Sequence, residues 1–457
     1  MVTLNPSASG RAAFNRPILA SPLSLIRFIR TIQDNAIAPY DQEALEQDLI
    51  ERKVLWWRSF LVNDPAAIKH VLLDNARNYT KDEIARRILE PGLGRGLLTS
   101  EGETWRRDRH IMASSFDRRS MPSYAPVMIH AAESLMAKWE AIPEGGCVDV
   151  HEEMKAVTLK IICLSMFSTD SSEIMDLADE GIARYQQAAR PSLLDLLGAP
   201  RSLTAARRSR RHLLVLYEAI DKLIARRIGG GDVRPDDLLT RMIEARDLQT
   251  GAGLSPRELR NQVVTIFMAG HETTALALTW AWYLLSQNRE QEEELHSELQ
   301  SALGGRAPTF DDIVNLRYTR MVIDESMRLF PPAHTLSRMA LGVDVLMGRE
   351  VPAGSTIFIV PWLLHRRPSV WSDPERFDPG RFSPERSSQR HRFSYIPFGA
   401  GPRICIGMAF ALTEAVLLLS AIAQRYRMRL DPRQVVEPQG LITLRPRYGM
   451  RMQLLRR

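Results

Sequence analysis

Phe398-Gly-Ala-Gly-Pro-Arg-Ile-Cys405-Ile-Gly407 places one cysteine in a glycine-rich turn just ahead of a long apolar run. A lone cysteine usually packs as a small hydrophobe, and that reading suffices for Cys147 and Cys163. Cys405 differs because Leu412, Ala415, Val416 and Leu419 follow it at helical spacing, within a helix expected from about Ile406 to Arg425. Backbone N–H groups and the positive end of a helix dipole favour negative charge at such a place, so the chemistry on offer is that of a thiolate. Gly401 and Gly407 would let a flat group approach the backbone closely. Arg403, two residues before the cysteine, could reach a carboxylate on the same face.

A second constellation is Ala269-Gly270-His271-Glu272-Thr273-Thr274. An acid beside a hydroxyl inside an apolar helix can pass protons. The plainer alternative is that the threonine bonds back to the carbonyl four residues earlier and bends the helix. Glu325-Ser-Met-Arg328 sets opposite charges three apart on one helix face, an arrangement that is usually surface decoration worth under about 1 kcal/mol. Trp105 and Arg109 are four apart and share a helix face, and Arg338 follows a Pro331-Pro332 stop.

Several elements must hold these groups. Ser255 as N-cap, Pro256 at the first helical position and Glu258 closing a capping box start a helix expected to reach about Ser286. At 1.5 Å per residue it is roughly 45 Å long, enough to cross a domain. Another helix is expected from about Leu316 to Leu329. Short strands are expected at about 335–347 and 355–361, with one strand or a strand pair over Val54–Val62. Asn63-Asp64-Pro65 caps a helix to about Asp74. Residues 92–103 form a glycine-rich loop. It lacks the full spacing of a dinucleotide fingerprint and no convincing strand precedes it. Residues 127–228 read as helical, with an arginine-dense stretch (Arg201, Arg207, Arg208, Arg210, Arg211) that is either a solvated face, a lid or an anionic contact. Gly229-Gly230-Gly231-Asp232 breaks the chain, and the C-terminus reads as short strands with a turn near Gly440. The fold class is mainly α with a minor β part.

The 457 residues are 45% hydrophobic and 25% charged, an ordinary globular composition. Three cysteines supply neither a disulfide framework nor a four-cysteine iron–sulfur cluster. Their scarcity suits a reducing compartment, so a cytoplasmic protein is expected. A net charge of +6 permits an acidic protein partner without demanding nucleic acid. The N-terminus lacks a secretory signal. The stretch around Arg27 and Arg30 reads as a short amphipathic helix. Asn261–Asn288, though free of Lys, Arg and Asp, contains His271 and Glu272 and reads as a buried helix rather than a membrane span.

The cysteine segment resembles the haem-binding signature Phe-x-x-Gly-x-Arg-x-Cys-x-Gly of cytochromes P450 at every fixed position. The threonine segment is similar to that family's distal motif, and the motifs run in the family's order from about Trp105 to Gly407. The resemblance implies a single catalytic domain over 1–457, with a small β-rich part at about 40–65 and 335–362 and a long central helix over haem b (iron protoporphyrin IX). It implies Cys405 as the iron ligand, with Phe398 near its sulfur. An axial thiolate pushes electron density toward bound oxygen and favours O–O cleavage. It implies that Arg403, Trp105, Arg109 and Arg338 meet the haem propionates, and that Ala269 and Gly407 lie against the cofactor. Thr273 would be the relay hydroxyl and Glu272 its acid, while His271 falls on a variable position and has no role. Glu325 and Arg328 would form a buried structural cluster with an arginine from a later loop. Arg381 fits the spacing from Trp371 better than Arg376 does. Substrate contacts would come from residues 81–100, the arginine-rich region, Ile266, Ala269, residues 333–337 and the turn near Leu441. The implied reaction inserts one atom of O₂ into a lipophilic substrate, fatty acid-like or terpenoid- or steroid-like. A separate ferredoxin or flavodoxin-like partner with an NAD(P)H reductase would supply electrons, with arginines near the cysteine steering it. A monomer is expected. A peroxygenase or a non-catalytic haem sensor would have less need of the acid–threonine pair.

Overall fold

A computed structural model describes residues 30–457 apart from 55–56, 169–171, 189–209 and 231–234. The helices that position the site are α1 (Glu83–Leu93), α2 (Gly102–Ala113), α3 (Met121–Glu140), α4 (Val150–Phe167), α5 (Pro256–Gln287), α6 (Arg317–Leu329) and α7 (Met408–Ala423). Helices Ser172–Ala188, Leu214–Gly229 and Arg289–Leu303 pack around them. Of the arginine-dense stretch, Arg201, Arg207 and Arg208 lie outside the described residues, as does Arg27. Arg210 and Arg211 are exposed on a short 3₁₀ turn.

The start of α5 follows from its sequence. The Ser255 hydroxyl accepts from the Glu258 N–H while the Glu258 carboxylate takes the Ser255 N–H at 2.8 Å, with Pro256 at the first position. From Thr274 to Leu285 every residue of α5 is buried, as a helix that is apolar on all sides must be. Its closest neighbour is α4, and it also packs on α6 and α7. The Trp280 ring stacks on Phe330 at 4.1 Å and donates its indole N–H to the Leu444 carbonyl at 3.1 Å. Buried indoles need such a partner. No helix of the described residues is long and apolar enough to cross a membrane.

The strands are β1 (Leu49–Val54), β2 (Trp57–Val62), β3 (Tyr79–Thr80), β4 (Cys147–Asp149), β5 (Leu336–Ala340), β6 (Asp344–Leu346), β7 (Arg349–Val351), β8 (Thr356–Ile359), β9 (Tyr426–Leu430), β10 (Pro438–Gly440), β11 (Leu444–Pro446) and β12 (Arg451–Arg456). A five-stranded sheet has the order β1-β2-β8-β5-β3. The region expected as one strand or a pair, Val54–Val62, holds one strand, β2, and its antiparallel partner β1 lies mostly ahead of that region, Leu49 opposite Val62. Asp64 caps the next helix by accepting from Ala67 N at 2.8 Å. That helix then widens into a π-turn over His70–Asp74. β4, β12 and β9 form a second sheet, and β10 pairs with β11 around a turn at 441–443.

Candidate functional site

The cysteine loop is folded by its own backbone. Cys405 N donates to the Phe398 carbonyl at 2.9 Å and Ile404 N to the Gly401 carbonyl at 3.1 Å. Phe398 is half-buried against the main core. Gly401 has φ +69°, and a Cβ there would lie 1.7 Å from the Leu72 carbonyl oxygen in the π-turn. The glycine therefore serves the seating of the loop on that turn, not room for a flat cofactor, and the expectation for Gly401 is corrected. Gly407 has φ −83°, and a Cβ there would meet only the Cys405 sulfur, at 3.9 Å. Its N–H hydrogen-bonds that sulfur.

Cys405 is accessible although protein encloses it, so its sulfur faces an internal hollow. Burial pushes the thiol pKa up, against the lowering pull of the Gly407 N–H and the Arg109 charge. Proximity to a helix start is thus outweighed by desolvation. The ionised sulfur needs a cation close to it, as a coordinated metal provides.

Beside the loop, cations crowd around one carboxylate. The Arg403 guanidinium lies 4.2 Å over the Trp105 ring, donates to the Ser100 carbonyl at 3.2 Å and pairs with Glu101. Its side chain is only 14% exposed, so it faces inward and is not the surface charge expected to steer a partner. Among the described residues Arg338, on β5, donates only to the neighbouring Ser337 carbonyl, at 2.8 Å. Burial, helped by the Arg403 charge, lowers its pKa to about 10. Lys81 bonds the Leu97 and Leu98 carbonyls. Burial first, then Arg403 and Arg338, bring its pKa down to about 7, with Glu101 alone pulling the other way. Arg109, on α2, is half-buried and its pKa is lowered by burial. Buried cations repelling one another call for added negative charge. The two propionates of a haem would supply it, and with the enclosed sulfur this set fits the cofactor. Lys81 was expected only within the substrate-contact range 81–100 and Glu101 not at all, because nothing local marks either residue as a neighbour of Arg403.

On α5, Ala269 is exposed and Thr273 half-buried, while Met268, Glu272 and Thr274 are buried. Accessible surface within a packed helix again marks a hollow. The Thr273 hydroxyl donates to the Ala269 carbonyl at 2.7 Å, the back-bond of the plainer reading. Glu272 is 5% exposed and close enough to His151 of α4 to act on its charge. His271 points elsewhere, its Nδ1 2.7 Å from the Phe267 carbonyl. Ile266 is buried. Sequence reading also missed Glu414 on α7. It is fully enclosed, its pKa is raised well above the usual carboxylate range by burial, and it hydrogen-bonds Thr274.

The Glu325–Arg328 pair is wholly buried. Arg328 Nε and Nη2 donate to the two Glu325 oxygens at 2.7 and 2.8 Å. Arg381 Nε lies 3.3 Å from Glu325. Arg376 contributes only its carbonyl, to Arg328 at 3.1 Å, and its side chain is exposed. The Asp378 N–H and the carbonyls of His365 and Pro374 complete the shell.

Comparison with known proteins agrees with this geometry. The family model described as Cytochrome P450 matches residues 47–450. Cyclooctatin synthase of Streptomyces melanosporofaciens is 38% identical over 87% of this chain and 86% of its own. Cyclooctat-9-en-7-ol 5-monooxygenase of the same organism is 33% identical over 93% and 91%. The crystal structure of the cytochrome P450DA heme domain superposes with a TM-score of 0.81 at 27% identity, covering 96% of this chain and 94% of that one.

Proposed function

The chain belongs to the cytochrome P450 family, and from that membership we propose that it hydroxylates a cyclic, terpenoid-like lipophile with electrons from a separate acidic ferredoxin or flavodoxin-like protein. As a family member it is a haem-thiolate monooxygenase that binds haem b and uses O₂ and a redox partner. The bound haem supplies the iron centre at which one atom of O₂ enters a C–H or C=C bond while the other leaves as water.

The chain's own residues do the rest. The observation that carries the reading is the enclosed Cys405 sulfur beside a cation cluster with too little negative charge. In this reading Cys405 ligates the iron and Phe398 and Gly407 hold its sulfur. Trp105, Arg109, Arg338 and Arg403, joined by Lys81, take the propionates. Thr273 and Ala269 face the same hollow from α5. Thr273 gives up its bond to the Ala269 carbonyl to offer its proton inward, and Glu272 replaces that proton from the buried side. Glu325, Arg328 and Arg381 hold the cysteine loop. The terpenoid-like substrate rests on the two relatives, one of which is named for a cyclic alkenol. The acidic partner rests on the +6 net charge, and a cytoplasmic setting on the scarcity of cysteine, three in 457 residues.

The test is a pair of substitutions. Cys405→Ala loses the thiolate signature of the ferrous carbonyl spectrum. Thr273→Ala keeps that spectrum while product formation falls by roughly 10² and reducing equivalents appear as peroxide. Unchanged product per NAD(P)H in the Thr273 variant removes the relay assignment.

A further inference from the structure

A cavity of about 470 Å³ opens on the surface between Gln300, Gly305, Gln424, Arg427, Arg456 and Arg457. Its size is that of a small-molecule site. Gln424 directly follows the end of α7, whose 16 residues put roughly 24 Å of helix between this cavity and the cysteine loop. Among the described residues no carboxylate side chain lines it.

The concentration of charge follows from sequence. β9 reads Tyr426-Arg-Met-Arg-Leu430, and strand alternation buries Tyr426 and Met428 while Arg427 and Arg429 share the other face. β12 pairs with β9 to its end, Arg456 opposite Tyr426, and Arg457 then places its N–H on the Arg425 carbonyl at 3.0 Å. The helix Arg289–Leu303 presents Glu292, His296 and Gln300, each four residues from the next and so on one face. One buried carboxylate has to serve three arginines. Glu292, 1% exposed, accepts from both Arg429 Nη atoms at 2.8 and 2.5 Å, and Arg427 Nε stands 3.9 Å away. Arg457 has no ion-pair partner among the described residues. Its Nη1 donates to the Ala423 carbonyl at 3.1 Å, and Glu292 acts on it only from a distance. The outer charges are matched, Arg456 with Glu144 at 3.3 Å and Glu293 with Arg289 at 2.7 Å.

His296 registers the imbalance. It is buried, and its Nδ1 lies 3.3 Å from Arg427 Nη2. A guanidinium can only donate, so Nδ1 accepts and the ring is neutral. Burial, and then the charges of Arg457, Arg427 and Arg429, bring its pKa down to about 3. Counted over side chains, the inner set is left with positive charge that the polypeptide does not answer.

We propose that this cavity binds a small phosphate-type anion with two or more negative charges, held by Arg427 and Arg457 with the Gln300 amide as a further donor. Planar guanidinium forks match the oxygens of a phosphoryl group, and more than one negative charge is what two under-compensated cations require. The site is separate from the haem hollow and stands without the monooxygenase reading.

The haem-loaded enzyme, in which the cation cluster around Arg338 is already occupied, is titrated calorimetrically with sodium pyrophosphate near neutral pH, against sodium chloride at matched ionic strength. The expected result is saturable one-site binding that chloride does not reproduce. Arg457→Gln and, separately, Gln300→Glu weaken it roughly tenfold or more, the loss of one charge-assisted contact. Arg451→Gln, at the opposite end of β12 and paired with Asp431, leaves it unchanged. Gln300 is exposed, so its substitution spares the fold, and an unchanged thermal midpoint verifies this. No saturable binding, binding that chloride reproduces, or binding undiminished in both Arg457→Gln and Gln300→Glu each overturns the proposal. The ferrous carbonyl spectrum stays the same in all variants, so failure of the haem-thiolate reading would be seen there and not in the titration.

Discussion

Glu325 and Arg338 each sit among buried cations, and the two clusters close differently. Around Glu325 the chain supplies most of its own shell: a bidentate Arg328, Arg381 as an ion pair at 3.3 Å, one backbone N–H, and carbonyls for the remaining Arg328 hydrogens. Around Arg338 the accounts of charge stay open. Lys81, Arg338 and Arg403 face the single carboxylate of Glu101, and burial drives down the pKa of all three cations. A buried charge set completed by the polypeptide holds a loop in place, whereas one left incomplete is a receptor for an anion. The two are alike in residue type and differ only in what remains unpaired.

The contrast can be broken or sharpened by substitution. The largest effect is expected at the closed cluster. Glu325→Gln leaves Arg328 and Arg381 buried without their counter-charge, at a cost of about 3–5 kcal/mol; the urea midpoint and the haem content of the purified protein should both fall. At the open cluster, Arg338→Gln should lower haem affinity about 10- to 100-fold, the loss of one charge-assisted hydrogen bond, without lowering the thermal midpoint of haem-free protein. A fall in that midpoint comparable to the Glu325 variant would erase the distinction. Next comes a pH dependence. The Lys81 pKa is moved from 10.5 to about 7, so above pH 7 the unfolded chain holds a proton that the haem-free folded chain has shed. Stability of haem-free protein should therefore rise from pH 7 to 8.5 and be lost as pH falls through 7. Stopping at 8.5 avoids the Cys405 thiol, which burial keeps protonated and which enters with opposite sign above 9. Lys81→Met should flatten the slope, and haem should flatten it too by pairing the ammonium. The smallest change is expected for Arg376→Gln, within about 0.5 kcal/mol, because only the backbone of Arg376 takes part.

The closed cluster was half legible in sequence and the open one less so. Glu325 and Arg328 announce themselves by spacing on one helix. Spacing from Trp371 favours Arg381 over the similar string at Arg376 as their third member, and the fold places Arg381 beside Glu325. Cys405 and Thr273 are legible because their chemistry is packed into a few consecutive residues. Lys81 and Glu101 meet Arg403 from about 300 residues away, and no local pattern encodes that meeting. Glu414 is similar: an acid in an apolar helix has meaning only once Thr274 is seen against it. The start of α5 was readable from Ser255 to Glu258 because a capping box is local. The β4-β12-β9 sheet, joining residues 147–149 to 451–453, was not. Gly401 was noticed for the wrong reason, because only the π-turn over His70–Asp74 shows what occupies the space of its missing side chain.

Between Gln262 and Leu285 the burial of α5 is interrupted only at Ala269, Gly270 and Thr273. The helix is a beam enclosed at both ends with one short window, so whatever it offers to the hollow is confined to a single turn.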